Sequence, residues 1–287
     1  MSSAAVLLVL TAAVVHAVWN LSAKRVSGGA LFVALYYTVS AAMCLPVAVG
    51  WLLVTDVTPR WSWLAAAVVT AAWHVLYAVL LQRGYAAGDM SVVYPLARGT
   101  GPLLSVAAAV LLLGERPGAL GLLGAVVVIA GVLLISVGGA KPMSGPPRAV
   151  SVAYGVATGG AIAGYTLWDA HAVTTLAVPP LVYFCTAAVL QSTLLAPYAL
   201  RRRPELARLW REHRRHVLAV GLLSPIAYIL VLFAVRIAPV SMVAPTRESS
   251  IVIGSLIGWL ALGEPNPVRR LVGSVVVLAG VAAIALA

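Results

Sequence analysis

Five ionisable side chains, Lys24, Arg98, Asp169, Arg247 and Glu248, stand within or at the edge of long apolar runs in this sequence. An unpaired charge at bilayer depth costs several kcal/mol, so such groups pair with one another or face a wet cavity, and they mark ion or substrate pathways. Arg98 and Glu248 each lie three residues past a proline, Pro95 and Pro245, and these prolines are 150 positions apart. Opposite charges in equivalent slots of a duplicated bundle can meet across its pseudo-twofold axis, so an Arg98–Glu248 ion pair is expected. Arg247 is adjacent to Glu248 and projects about 100° away on a regular helix, which leaves it for an anionic substrate group. Tyr94 precedes Arg98 by one turn and shares its face. A carboxylate held between burial, which favours the acid, and arginines, which favour the anion, can release its proton when substrate displaces a partner. The two prolines should loosen the backbone beside each charge and interrupt both helices.

A second constellation recurs at spacing 149: Trp19-Asn20 returns as Trp168-Asp169, with His16 becoming Tyr165. These four residues are expected to line one cavity from two symmetry-related helices. His16, Asn20 and Lys24 are spaced four apart and share a face. His74 and Tyr77 lie one turn apart and join the candidate binding set, with a packing role for the histidine left open. Enzymatic chemistry lacks its parts, because no Cys/His pair, HExxH, Gly-x-Ser-x-Gly, phosphate-binding loop or dinucleotide fingerprint occurs. His16, His74, Asp169 and His171 do not have metal-ligand spacing, and no cofactor is expected. Cys44 and Cys185 fall in apolar spans and are read as core residues.

The elements that position these groups are apolar throughout. The 287 residues are 62% hydrophobic and 9% charged, with mean hydropathy +1.02, and a membrane-spanning helix needs about 20 apolar residues. Ten such runs are read: 5–23, 30–54, 62–82, 92–113, 118–137, 150–170, 179–200, 216–235, 241–262 and 270–287. Backbone amides in lipid need internal partners, so the fold class is all-α, an integral membrane protein of ten helices. The stretch YPLARGTGPLLSVAAAVLLLGE, 94–115, returns as APTRESSIVIGSLIGWLALGE, 244–264; Gly124 and Gly131 return as Gly273 and Gly280. The expected organisation is therefore two inverted five-helix repeats, 1–140 and 150–287, joined by a Gly/Pro-rich linker at 141–149. Three Gly-x-x-x-Gly pairs, 155/159, 160/164 and 254/258, offer close helix contact. Span two is singled out only by Tyr36, Tyr37 and Pro46, span seven by nothing comparable, and Pro225 is expected to kink span eight.

Of the 19 basic residues, fourteen fall in loops after odd-numbered spans and three in loops after even-numbered ones. The net charge of +11 thus records orientation, with odd loops cytoplasmic and both termini outside. The first span has its charges after the apolar run, unlike a secretory leader, and is read as helix one. RRRPELARLWREHRRH, 201–216, is read as an amphipathic helix on the anionic leaflet. A nucleic-acid surface would need interleaved aromatics or a recognition fold, and neither is present.

Ten spans, the five-plus-five repeat and the proline-to-Leu-Gly-Glu signature resemble the EamA-type transporters of the drug/metabolite transporter superfamily. The resemblance covers nearly the whole chain, and its most specific part is the Leu-Gly-Glu after spans four and nine. It implies a secondary transporter in a cell membrane, of bacterial inner-membrane type, exporting a small polar or zwitterionic metabolite on a proton or substrate gradient. A lipid flippase and a non-transporting accessory protein are the alternative readings. Partners are then a small-molecule substrate and membrane lipid, with no nucleic acid, and the chain is expected to act as a monomer.

Overall fold

A computed structural model describes residues 1–23, 25–26, 28–55, 57–87, 90–136, 148–262 and 267–287. Lys24, the 141–147 part of the linker and Glu264 of the second Leu-Gly-Glu lie outside the described residues. Among the described residues eleven helices follow in order: α1 Ser3–Ala23, α2 Gly29–Thr55, α3 Trp61–Ala87, α4 Met90–Leu112, α5 Gly118–Ser136, α6 Arg148–Thr174, α7 Pro180–Arg201, α8 Arg203–Val235, α9 Val240–Arg247, α10 Ser250–Leu262 and α11 Pro267–Leu286. No strand occurs among the described residues. Eight helices, α1 to α8, are long and apolar enough to cross a membrane. Sequence span nine is divided between α9 and α10, and α11 covers span ten.

Helix ends follow local chemistry. Pro180 opens α7 and Pro204 the first turn of α8, where a missing N–H costs nothing because those amides have no intrahelical acceptor. Gly114, at φ +68°, stops α4, a left-handed conformation that a side chain would resist. The turn it makes brings the Glu115 N–H back to the Ala109 carbonyl at 3.1 Å.

The two halves interleave. In chain order α1 to α5 correspond to α6, α7, α8, α9 with α10, and α11. The principal packings are α1 on α8, α3 on α6, α4 on α6, α2 on α7, α2 on α8 and α5 on α11, with smaller contacts of α4 on α5, α3 on α7, α4 on α9 and α1 on α10. Exchanging halves carries α1–α8 onto α6–α3 and α4–α6 onto α10–α1, and returns α2–α7 and α5–α11 to themselves. Short polar bonds tie the central pairs: the Thr38 and Ser192 hydroxyls lie 2.8 Å apart, and Ser40 donates to the Gly221 carbonyl at 2.8 Å. In an apolar medium such bonds and small-residue packing replace the hydrophobic effect between helices.

The repeated glycines set the α5–α11 contact. Gly124 faces the carbonyl of Gly280, and Gly131 that of Gly273, so the helices run antiparallel with each glycine against the repeat of the other. A Cβ on Gly280 would stand 2.7 Å from the Gly124 oxygen and from the Val128 nitrogen. Both are backbone atoms and cannot rotate away. Gly280→Ala should therefore cost about 1–3 kcal/mol and lower the melting temperature in detergent. Gly254→Ala, where nothing lies within 4 Å, should leave it unchanged; equal effects at both sites would discount the crossing. Of the Gly-x-x-x-Gly pairs, Gly155 and Gly159 meet Leu96 and Thr100 of α4 and Gly164 meets Trp73, whereas Gly160 and Gly254 face open space.

One expectation about span eight is corrected: the kink in α8 lies at His213 (φ −125°, ψ 16°), where the helix of the amphipathic stretch meets the helix of the span, rather than at Pro225. The leucines of the amphipathic stretch pack on protein: Leu206 and Leu209 lie against the cluster of Leu31, Ala34 and Ala199, and Leu209 also against that of Phe32 and Val217. These leucines are taken up by α2 and α7, leaving Trp210 and the arginines outward.

Candidate functional site

The second-half helix breaks at its charges. Pro245 has no N–H to continue the ladder, and after it the bonds shorten to i→i−3: Glu248 N–H to Pro245 O at 3.0 Å, Ser249 to Thr246 at 3.1 Å, Ile251 to Glu248 at 2.9 Å and Val252 to Ser249 at 3.0 Å. The tightened turn separates α9 from α10 at Glu248–Ser249. In the first half α4 runs on past Pro95, so the expected interruption occurs in one half only.

At this break an Arg98 guanidinium nitrogen lies 2.9 Å from a Glu248 carboxylate oxygen, with the side chains 16% and 2% exposed. The pair joins α4 to the α9–α10 break, as the repeat register expects. Arg98 is also within electrostatic range of Tyr94, Tyr77 and Tyr165. Arg247 is half-buried and has no carboxylate at ion-pair distance among the described residues; it interacts electrostatically with Tyr165, Glu248, Tyr228 and Arg98. His16 lies within the range of both arginines and meets Trp19 edge-on at 4.7 Å. Among the described residues, buried polar atoms without a hydrogen-bond partner in this region include Trp19 Nε1, Arg98 Nε, Ser249 Oγ and Glu248 Oε2, the last being the ion-pair oxygen. Buried polar groups are ordinarily paired, so this side of the bundle offers hydrogen-bond donors to an acceptor.

Asp169, 2% exposed, occupies a different setting. Tyr183 of α7 donates to its Oδ1 at 2.5 Å, and Tyr228 of α8 donates a short hydrogen bond to its Oδ2. His74 stacks on Tyr165 with ring centroids 4.4 Å apart and meets Tyr228 edge-on at 5.7 Å. Its Nδ1 is 2.9 Å from the Thr70 carbonyl and 3.1 Å from the Thr70 hydroxyl, so Thr70 holds the ring in place. Tyr77 meets Tyr165 edge-on at 6.0 Å. An aromatic wall of His74, Tyr77, Tyr165 and Tyr228 thus runs between Asp169 and the arginines.

The structure divides the expected tryptophan cavity. Trp168 Nε1 donates to the Ala66 carbonyl at 2.9 Å and packs in the cluster around Val9, Trp63 and Tyr183. Trp19 packs instead beside Phe32, Val217 and Val220. Asn20 is half-buried on α1. The two tryptophans therefore pack in separate apolar clusters. Tyr183 and Tyr228 were missed in the sequence because phenols in a span carry no charge to flag them, and span seven read as featureless. The signal that could find them is Asp169 itself, which demands donors from neighbouring helices.

The Leu-Gly-Glu signature acquires a role. Both Glu115 carboxylate oxygens accept from the first amides of α9, Val240 N–H and Ser241 N–H, each at 2.8 Å. A carboxylate at a helix N-terminus meets orphan amides and the positive end of the dipole, so Glu115 anchors the short helix that carries Arg247. Glu115→Ala should cost about 1.5–3 kcal/mol, the range for a hydrogen bond to a charged group. Thermal unfolding compared with Glu115→Gln reads this: the amide variant should fall between wild type and alanine, and an unshifted alanine variant would remove the anchor.

A groove lined by Gly28, Leu31, Glu205, Arg208, Leu209, Glu212 and His213 lies between the start of α2 and the outer part of α8, apart from the charge cluster. No group of three metal-ligating side chains assembles among the described residues. With Glu248 and Asp169 both buried, this conformation encloses the central acids in protein.

Comparison with known proteins bears on the whole chain. A search of curated proteins finds no match. Among 29 matching chains of solved structures, one described only as a crystal structure of a protein superposes with TM-score 0.74 over 100% of this chain and 98% of its own, at 19% identity. At that identity the likeness concerns the fold. The model of the EamA-like transporter family matches twice, over residues 3–137 and 150–286, so both halves are copies of the same family unit. This multi-pass membrane chain, carrying the family repeat from end to end, belongs to the EamA-like transporter family.

Proposed function

We propose that the protein is a secondary active exporter of a small polar metabolite bearing an anionic group, zwitterionic or amino-acid-like, driven by a proton or substrate gradient. The observation that carries this reading is Arg247: a cation beside a helix break, half-buried, with no ion-pair partner among the described residues, next to the Arg98–Glu248 pair. A half-buried arginine without an ion pair is a ready fork for carboxylate or phosphate. Trp19 Nε1 and Arg98 Nε add donors, and Tyr94, Tyr77, His74 and Tyr165 add an aromatic flank. Asn20, Trp168, Asp169 and Glu248 complete the proposed machinery.

We read the architecture as ten spans, with α9 and α10 forming one broken span, in two inverted halves. The antiparallel α5–α11 crossing and the exchange of packings between halves support the inversion. The loop charges support odd loops inside and termini outside. A broken helix whose ends face an ion-binding site is the arrangement that lets one half rock against the other. The chain acts as a single copy in this reading, because both halves of the site come from one polypeptide.

Efflux from proteoliposomes across a panel of labelled metabolites tests the reading. Zwitterionic or anionic members should move and be trapped by Arg247→Gln, whereas cationic members should not move. Flux of lipid analogues alone would replace the metabolite reading with a flippase, and no flux of any member would leave an accessory role.

A further inference from the structure

We propose that Asp169, rather than Glu248, is the carboxylate that takes up and releases the coupling proton. This rests on the transport reading above and names the group that couples it.

The two buried acids differ in what cancels their charge. Glu248 has a guanidinium at 2.9 Å; protonating it would strand Arg98 as an uncompensated buried cation, a strongly unfavourable state. Asp169 has no basic side chain at ion-pair distance among the described residues, and its hydrogen bonds come from the neutral phenols of Tyr183 and Tyr228. Neutral donors satisfy the anion without fixing it. A phenol oxygen also accepts, so when Asp169 gains a proton one hydroxyl can rotate and receive the new O–H. Both protonation states are thereby hydrogen-bonded, which a titrating group in a dry interior requires.

The surroundings supply a route. From its own helix Asp169 is flanked by Tyr165 and Trp168, with His171 packed against Trp168 at 5.7 Å. From α3 come Thr70, within hydrogen-bond range of Tyr183, and His74; from α7 Tyr183; from α8 Tyr228; and from α9 Arg247, within electrostatic range of Tyr228. His74, held at Nδ1 by Thr70 and edge-on to Tyr228, is the proposed relay between the arginine side and the Tyr228–Asp169 bond. A proton delivered from water adds to an Asp169 oxygen, one O–H bond forms, and the Tyr228 hydrogen bond is given up or reversed. Departure to water on the other side restores the anion. Tyr183 and Tyr228 sit on different helices from Asp169, so the protonation state changes what ties α6 to α7 and α8. The first-half equivalent, Asn20, cannot titrate.

Infrared difference spectra of the protein in liposomes, recorded across pH, separate a protonated carboxyl from carboxylates by its C=O stretch. A titrating acid band should distinguish wild type from Asp169→Asn, and that difference should persist when the ion pair is removed whole, in Arg98→Gln with Glu248→Gln, which strands neither charge. Tyr228→Phe, which keeps the carboxylate, should move the midpoint to higher pH, strengthening proton binding about tenfold, the equivalent of one hydrogen bond to a charged group. It also serves where Asp169→Asn does not fold. Wild-type and Asp169→Asn spectra that titrate alike, a difference between them that disappears when both partners of the ion pair are replaced, or a midpoint that ignores Tyr228→Phe overturns the assignment. Flux without an Asp169 band defeats this proposal alone; an Asp169 band without flux of any panel member defeats the transport reading.

Discussion

Replacing Arg98 with alanine is expected to destabilise the folded protein by about 3–5 kcal/mol, because Glu248 would be left as a buried carboxylate without its cation. Glu248→Ala should cost a similar amount by stranding Arg98. The exchanged double variant, Arg98→Glu with Glu248→Arg, restores opposite charges at the same separation and should recover most of the melting temperature of either single variant. Transport should not recover with it. The exchange places an arginine on the tightened turn beside Arg247, so two cations crowd the helix break while the acid moves to the unbroken α4. Thermal unfolding and vesicle efflux measured on the same preparations decide the matter. Full efflux in the exchanged protein would make the pair a structural bridge indifferent to polarity.

Arg247→Gln is expected to show the opposite division. Arg247 is half-buried and holds no ion pair among the described residues, so its loss should leave the melting temperature near wild type. Its proposed task is a charge-assisted contact with substrate, worth about 1.5–3 kcal/mol, and efflux at limiting substrate should fall roughly tenfold to a hundredfold. Arg247→Lys keeps the charge and loses the planar fork, so it should lie between. Unchanged efflux in Arg247→Gln across the panel, with protein at wild-type abundance, would take the residue out of the binding site.

Much of this was legible in the sequence, because charge inside an apolar chain is rare enough to be informative. The shared slot of Arg98 and Glu248 after their prolines anticipated an ion pair that the structure places at 2.9 Å. The glycines at spacing 149 marked a close contact, although only the structure shows that each glycine meets the other's repeat. What escaped was set by tertiary context. Pro95 and Pro245 are the same residue in the same register, yet only the second ends its helix, since a proline disrupts a ladder that neighbours can still hold in line. The amphipathic face of α8 was visible as a pattern, but a pattern does not say whether lipid or protein covers it. Glu115 stood out as part of a signature without a task, because its acceptors' donors are backbone amides 125 and 126 residues away, and sequence distance hides such a cap.

The interleaved packing bears on biogenesis. The helices of the first half find their principal neighbours in the second: α1 on α8, α3 and α4 on α6, α2 on α7, α5 on α11. Helices inserted one after another into a bilayer can each be stable as a span before they associate, but the first five lack the surfaces they are shaped for until α6 to α11 follow. Ser40, for example, waits for Gly221, and Gly124 for Gly280. Assembly is therefore a late, long-range event in which synthesis of the second half completes the first, and a chain halted between the repeats would present membrane quality control with inserted helices and no partner to close on.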